Sequence, residues 1–142
     1  MRKGLDPLLP PDLLHALAAM GHGDELALVD RNYPATSTSQ RLIRLDGADT
    51  AAAARAILGL FPLDTFVDEP LLRMEVVGSP DEATPVQREL AGLASELEGR
   101  EVAMGSLERF AFYERSRGAF ATVITGEDAP YACFLLIKGV IA

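Results

Sequence analysis

Tryptophan is absent from this 142-residue chain, cysteine occurs once and histidine twice. Each scarcity removes a class of chemistry. Cys133 alone forms no intramolecular disulfide, and a cysteine-based zinc cluster would need several chains. Without tryptophan, only phenylalanine and tyrosine remain as stacking platforms for a ligand. Basic residues are few as well: 13 Lys plus Arg stand against 21 Asp plus Glu, a formal charge of −8, and none of the segments gathers a basic cluster. Nucleic acid is therefore not an expected partner, because affinity for it rests on neutralising phosphates. No apolar run approaches the roughly 18 residues that a membrane helix needs, so no membrane partner is expected. Met1-Arg2-Lys3 leads into Asp6 and two prolines instead of the apolar stretch of a signal peptide, and the expected location is the cytoplasm. Gly-x-Gly-x-x-Gly, a Walker loop and His-Glu-x-x-His are all missing, which leaves nothing that argues for nucleotide or zinc.

What remains is a globular composition, 49% hydrophobic and 24% charged, sufficient for one domain spanning residues 1–142. Segments of helical and strand periodicity alternate. Helices are expected over Leu8 to Met20, with Leu13, Leu14, Leu17 and Ala18 as its apolar stripe, over Thr50 to Leu60 behind an Asp49 cap, over the stretch from Thr84 to Gly99, and over Leu107 to Arg117 with Ser106 as the cap. Thr84-Pro85-Val86-Gln87 has the residues of a capping box, and Val86, Leu90, Leu93 and Leu97 mark the face to be buried. Strands are expected at Leu26 to Val29, Arg41 to Leu45, Leu71 to Val77, Val102 to Met104, Phe120 to Thr125 and Cys133 to Ile137, with Thr36 to Gln40 as a loop. This alternation predicts a three-layer α/β/α domain around a largely parallel or mixed sheet.

One short segment stands out for chemistry. Met20-Gly21-His22-Gly23-Asp24 sets a histidine between two glycines, where a proton-transfer group is exposed on a loop that leaves a helix. The other histidine, His15, lies on that helix among apolar neighbours and reads as structural or partly exposed. Asp30 sits at the carboxyl end of the first strand, the end beyond which α/β sheets bind ligands. Asp64, Arg109, Tyr113 and Tyr131 also fall in loops or near element ends. A histidine, carboxylates, phenols and an arginine without a phosphate-binding loop describe a small, polar, uncharged ligand handled by proton transfer.

Several segments follow one another along the chain: Lys3-Gly4-Leu5-Asp6-Pro7-Leu8-Leu9, Met20-Gly21-His22-Gly23-Asp24-Glu25, Arg109-Phe110-Ala111-Phe112-Tyr113-Glu114-Arg115, Thr125-Gly126-Glu127 and Leu136-Ile137-Lys138-Gly139-Val140. In order and spacing they resemble the D-ribose pyranase / L-fucose mutarotase family, on its fucose branch. The resemblance implies a central sheet between helices and a ring-shaped homo-oligomer, commonly a decamer, with sites near subunit contacts. It implies a cofactor-independent isomerase that interconverts the α and β anomers of L-fucose or a related pyranose by acid–base ring opening. The family's proton-donating histidine falls on His22. Its aspartate after the first strand falls on Asp30, and its arginine and tyrosine fall on Arg109 and Tyr113. Asp64, Met74 and Tyr131 match further sugar-binding positions, and Asp30 is expected to orient either His22 or a sugar hydroxyl. The family's Tyr-Gly-Asn triplet falls on Tyr131-Ala132-Cys133, so a thiol, a weak donor and acceptor, stands at Cys133 in place of an amide. That departure keeps two alternatives beside the mutarotase reading: a ribose pyranase activity and a non-catalytic sugar-binding module.

Overall fold

The protein is described by a computed structural model covering residues 2–142; Met1, at the head of the Met1-Arg2-Lys3 segment, lies outside them. Its elements follow the order α1 (Pro11–Ala19), β1 (Glu25–Val29), α2 (Ala35–Thr38), β2 (Leu42–Leu45), α3 (Thr50–Leu58), β3 (Leu71–Met74), α4 (Pro85–Glu98), β4 (Met104–Leu107), α5 (Arg109–Arg117), β5 (Ala121–Thr125) and β6 (Phe134–Ile137). The strands form one six-stranded sheet in the order β2-β5-β1-β6-β3-β4. β1, β2 and β5 are mutually parallel, as are β3 and β4, while β6 runs antiparallel to both of its neighbours, β1 and β3.

Strand composition follows sheet position. β5 and β6, inside the sheet, are buried at every residue and read as unbroken apolar or β-branched runs, whereas the edge strand β2 alternates buried Ile43 and Leu45 with exposed Arg44. Successive residues of the inner strands face opposite layers. Leu26, Leu28, Phe134 and Leu136 point into a core shared with Leu13 and Leu17 of α1, Ile57 of α3 and Leu90 and Leu93 of α4. Ala27, Val29, Cys133 and Leu135 point the other way, toward Phe112 of α5 and Ala35 of α2. This is the expected three-layer arrangement, with a mixed sheet. Among the described residues, no helix is long and apolar enough to cross a membrane.

Helix starts are set by local chemistry. The Asp49 carboxylate accepts the Ala52 N–H at the start of α3, and Thr84 and Gln87 close a reciprocal capping box at the start of α4. Several boundaries differ from expectation. Ser106 is not a cap; it belongs to β4 and donates its hydroxyl to Glu75, while the Glu108 carboxylate accepts the N–H groups of Phe110 and Ala111 and starts α5 two residues later than expected. The strand expected around Val102 lies over Met104–Leu107 instead, in register with β3. β3 stops at Met74 because the chain then folds back on itself through the Val76–Ser79 bridge, with Gly78 at φ 85°. α1 spans only Pro11–Ala19, and α3 ends at Leu58 with Gly59 as its cap. The segment expected as a loop at Thr36 to Gln40 overlaps the short helix α2, in which the Thr38 hydroxyl donates to the Pro34 carbonyl. Ala18 and Leu97, placed on buried stripes by periodicity, are exposed at the turns where their helices end. His15 is exposed on α1.

Candidate functional site

A cleft of about 270 Å³ opens at the carboxyl ends of β1 and β3 and the amino end of β6. Asp30, Asn32, Tyr33, Met74, Arg109, Tyr113, Pro130, Tyr131 and Cys133 line it. The topology explains the gathering: because β6 runs against its neighbours, its first residues arrive where β1 and β3 finish. Parallel β4 ends at the same edge and feeds α5, whose first turns carry Arg109 and Tyr113.

Asp30 is the buried carboxylate of this cleft. Its Oδ1 accepts the Asn32 N–H at 3.0 Å, and its Oδ2 accepts the Cys133 thiol at 3.4 Å. Burial pushes the Asp30 carboxyl above the usual carboxylate range, and these hydrogen bonds only partly oppose it. Burial, together with the neighbouring carboxylate, also pushes the Cys133 thiol up, so the sulfur stays protonated and acts as a hydrogen-bond donor. Opposite them, Arg109 donates its Nε–H to the Tyr113 hydroxyl oxygen at 3.0 Å. With that lone pair engaged, the phenol O–H points its donor capacity to another acceptor.

Tyr113 is braced from behind. Tyr33, buried and pushed up to about 12 chiefly by desolvation, lies 2.6 Å from the Ser116 hydroxyl, which in turn donates to the Tyr113 carbonyl. Tyr33 also meets the Tyr113 ring at a centroid distance of 5.4 Å. Tyr33, Asn32 and Pro130 were not among the sequence candidates. The available signal was their position in the two turns nearest the candidates, Asn32-Tyr33 just after Asp30 and Pro130 just before Tyr131.

His22 and Asp64 are elsewhere. They meet each other at the opposite end of the sheet, where the His22 Nε2–H donates to Asp64 Oδ1 at 3.0 Å. β1 separates His22 from Asp30: five strand residues at about 3.3 Å each span roughly 16 Å. Asp64, not Asp30, is thus the carboxylate that holds His22, and within one chain neither member of the pair reaches the Asp30 cleft. Asp64 is buried, which raises its carboxyl, but the N–H groups of Phe66 and Thr65 and the His22 imidazole outweigh that and hold it below the usual range. The Phe66 ring lies edge-on to the imidazole at 4.7 Å.

The loop that carries His22 is tied down from several sides. Gly23, at φ 86°, donates its N–H to the Lys138 carbonyl at the end of β6, and the Lys138 ammonium donates to the Leu17 and Met20 carbonyls that finish α1. Gly139 is needed beside them, since a Cβ there would come within 2.8 Å of the Asp64 Cα and the Leu63 carbonyl. A groove lined by His22, Leu60, Pro62, Val140 and Ile141 leaves the imidazole accessible, and its side chain is 37% exposed.

Both ends of the sheet thus carry groups for proton transfer, and comparison with known proteins gives them a family. Residues 3–141 match the model of the RbsD / FucU transport protein family. The chain belongs to that family. Among its relatives, human fucose mutarotase is 47% identical over 99% of this chain and 94% of its own length. The crystal structure of FucU from Bifidobacterium longum superposes with a TM-score of 0.92 at 45% identity, covering 99% of this chain and 100% of that one. The fucose mutarotase of Streptococcus pneumoniae, solved in complex with L-fucose, superposes with a TM-score of 0.86 at 39% identity, again over 99% of this chain and 100% of that one. The mixed six-stranded sheet described above is the fold shared with these RbsD/FucU neighbours.

Proposed function

We propose that this protein is a cofactor-independent monosaccharide mutarotase that interconverts the α and β anomers of L-fucose or a closely related pyranose in the cytoplasm. The observation that carries the reading is the cleft: a buried carboxylate, three phenols and a guanidinium around a space of about 270 Å³, in a chain alike over 99% of its length to fucose mutarotases. Ring opening needs a proton delivered to the ring oxygen and another removed from the anomeric hydroxyl. The C1–O5 bond then breaks to leave an open-chain aldehyde, which recloses on its other face. Proton gain and loss balance, so no redox partner or metal enters the scheme.

In this scheme Asp30 and Arg109 hold hydroxyls, Tyr113 and Tyr131 stand at the anomeric oxygen, Cys133 donates to Asp30, and Met74 lies against an apolar side of the sugar. His22 is the proton donor, kept in one orientation by Asp64 in the way a carboxylate orients a catalytic imidazole. Since His22 and Asp30 occupy opposite ends of the sheet, the scheme requires that His22 of one copy enter the cleft of another. Asp64 then acts through His22, and its place against a sugar hydroxyl depends on the same neighbour.

Exposed apolar side chains support this association at both ends: Phe66, Val140 and Ile141 near His22, and Phe110 and Val77 beside the cleft. A head-to-tail contact of this kind is heterologous and forms a ring where its rotation closes, with the decamer as the proposed assembly.

The experiment is NMR exchange spectroscopy on L-fucose at anomeric equilibrium, with D-ribose as the comparison. Exchange between the L-fucose anomer signals that outpaces buffer and is lost with His22→Ala supports the proposal. Saturable sugar binding without exchange would instead select a binding module, the reading that the Cys133 thiol beside Asp30 favours, and exchange of ribose forms alone would select a pyranase.

A further inference from the structure

Gln87 is fully buried, and its side chain is hydrogen-bonded at both ends. Its Oε1 accepts the Thr84 N–H and closes the capping box of α4. Its Nε2 donates to the Met74 carbonyl at the end of β3 and to the Tyr131 carbonyl, each at 2.8 Å. The box needs only the first of these contacts, and a glutamate would serve it as well. The other two reach past the helix to the backbone of two residues that line the Asp30 cleft.

Tyr131 is where such a restraint matters. Among the described residues it is the one non-glycine with positive φ, at 61°. An aromatic side chain in the left-handed region persists only where its surroundings over-determine the backbone. The Tyr131 hydroxyl is also engaged, accepting the Val77 N–H at 3.3 Å, so the residue is fixed at both its main chain and its phenol.

From these contacts we infer that Gln87 is a positioning residue for the sugar cleft. It touches no ligand. Its amide clamps the end of β3 to the turn before β6, holding Tyr131 in the left-handed conformation with its ring in the cleft and Met74 at a fixed distance from it. The inference rests on the reading of the Asp30 cleft as the sugar site.

Two variants that damage the same helix start in different ways test it. Thr84→Ala removes the capping hydroxyl and leaves the Gln87 amide with both its carbonyls. Gln87→Glu keeps an acceptor for the Thr84 N–H and loses both donors. Gln87→Met, similar in size and uncharged, replaces Gln87→Glu if the buried carboxylate prevents folding. The readouts are the melting temperature, the second-order rate of L-fucose anomer exchange, and the backbone amide resonances of Tyr131 and Ala132. Both substitutions are expected to lower the melting temperature. The Gln87 variant also slows exchange about tenfold and displaces the Tyr131 and Ala132 resonances, whereas Thr84→Ala keeps the rate within about twofold of the parent. Losses of exchange that follow the melting temperature equally in both variants, with the Tyr131 resonances unmoved, would overturn the inference. If the parent protein exchanges no sugar, the site reading fails, and the amide resonances alone decide: displaced only in the Gln87 variant they sustain the clamp, unmoved they refute it.

Discussion

In the proposed scheme the two ends of the sheet hold complementary halves of one chemistry. At the carboxyl ends of β1 and β3, Asp30 lies buried at the floor of an open cleft with its carboxyl raised by burial, surrounded by phenols and a guanidinium but no histidine. At the other end, His22 stands half-exposed beside Asp64, whose carboxyl is held low, in a groove lined by apolar side chains. A polar cleft without a histidine and an accessible histidine without a polar cleft differ in what each lacks, and in the proposed assembly each lack is supplied by the other end of a second copy. Electrostatics separates them in the same sense: desolvation prevails at Asp30, while hydrogen bonds and the imidazole prevail at Asp64.

Removing the donor is expected to have the largest effect. His22→Ala should lower the exchange rate by about 10²- to 10⁴-fold, the range for loss of general acid–base catalysis, with fucose affinity little changed and the melting temperature lowered by the loss of the bond to Asp64. Calorimetry and NMR exchange on the same samples check this. Loss of binding in parallel with exchange would mean that His22 shapes the cleft and does not deliver a proton.

Next come opposite pH dependences at the two carboxylates. Asp30 has a folded-state pKa above its unfolded value, so its contribution is most favourable at low pH and is lost as pH rises through the folded value; the stability of Asp30→Asn relative to the parent should increase from pH 4 to pH 8. Asp64 has a folded-state value below its unfolded one, so its stabilisation is present above about pH 4 and is lost as pH falls through the folded value. Asp64→Asn should therefore be less stable than the parent at pH 7 and approach it toward pH 3. Melting temperatures across that range, read for both variants, break the comparison if the two differences run in the same direction.

A smaller effect is expected behind the cleft. Tyr33→Phe removes the hydroxyl that meets Ser116, and should cost about 1 kcal/mol in denaturant unfolding while Ser116 still donates to the Tyr113 carbonyl. The exchange rate should fall only a few-fold. A fall as large as that of Tyr113→Phe would make the buried phenol part of the proton path and not a brace.

Much of this architecture was legible in the sequence, and what escaped has physical causes. The inner strands declared themselves because burial on both faces demands unbroken apolar runs such as Leu26 to Val29, and α4 declared its start through the Thr84–Gln87 box. The helix α2 was hidden because Ala-Thr-Ser-Thr has weak helical propensity and is held by Thr38 bonding back to Pro34. Leu97 shows the limit of periodicity, which marks a stripe but not where the packed partner ends. The residues around Asp30 were found in large part, since element ends on one sheet edge are predictable from strand direction. Tyr33 was missed because a tyrosine between an asparagine and a proline reads as a turn. The partner of His22 was the deeper miss: eight positions separate it from Asp30, a short distance along the chain, but the strand between them carries them to opposite edges.

A mixing experiment between inactive variants tests the shared site most directly. Copies carrying His22→Ala keep an intact cleft, and copies carrying Tyr113→Phe keep an intact histidine. Co-refolded in equal amounts, they should regain L-fucose anomer exchange at about a quarter of the contacts, those where an intact histidine enters an intact cleft. Exchange that stays at the level of the separate variants, in an assembly shown to contain both, would contradict a site built between copies.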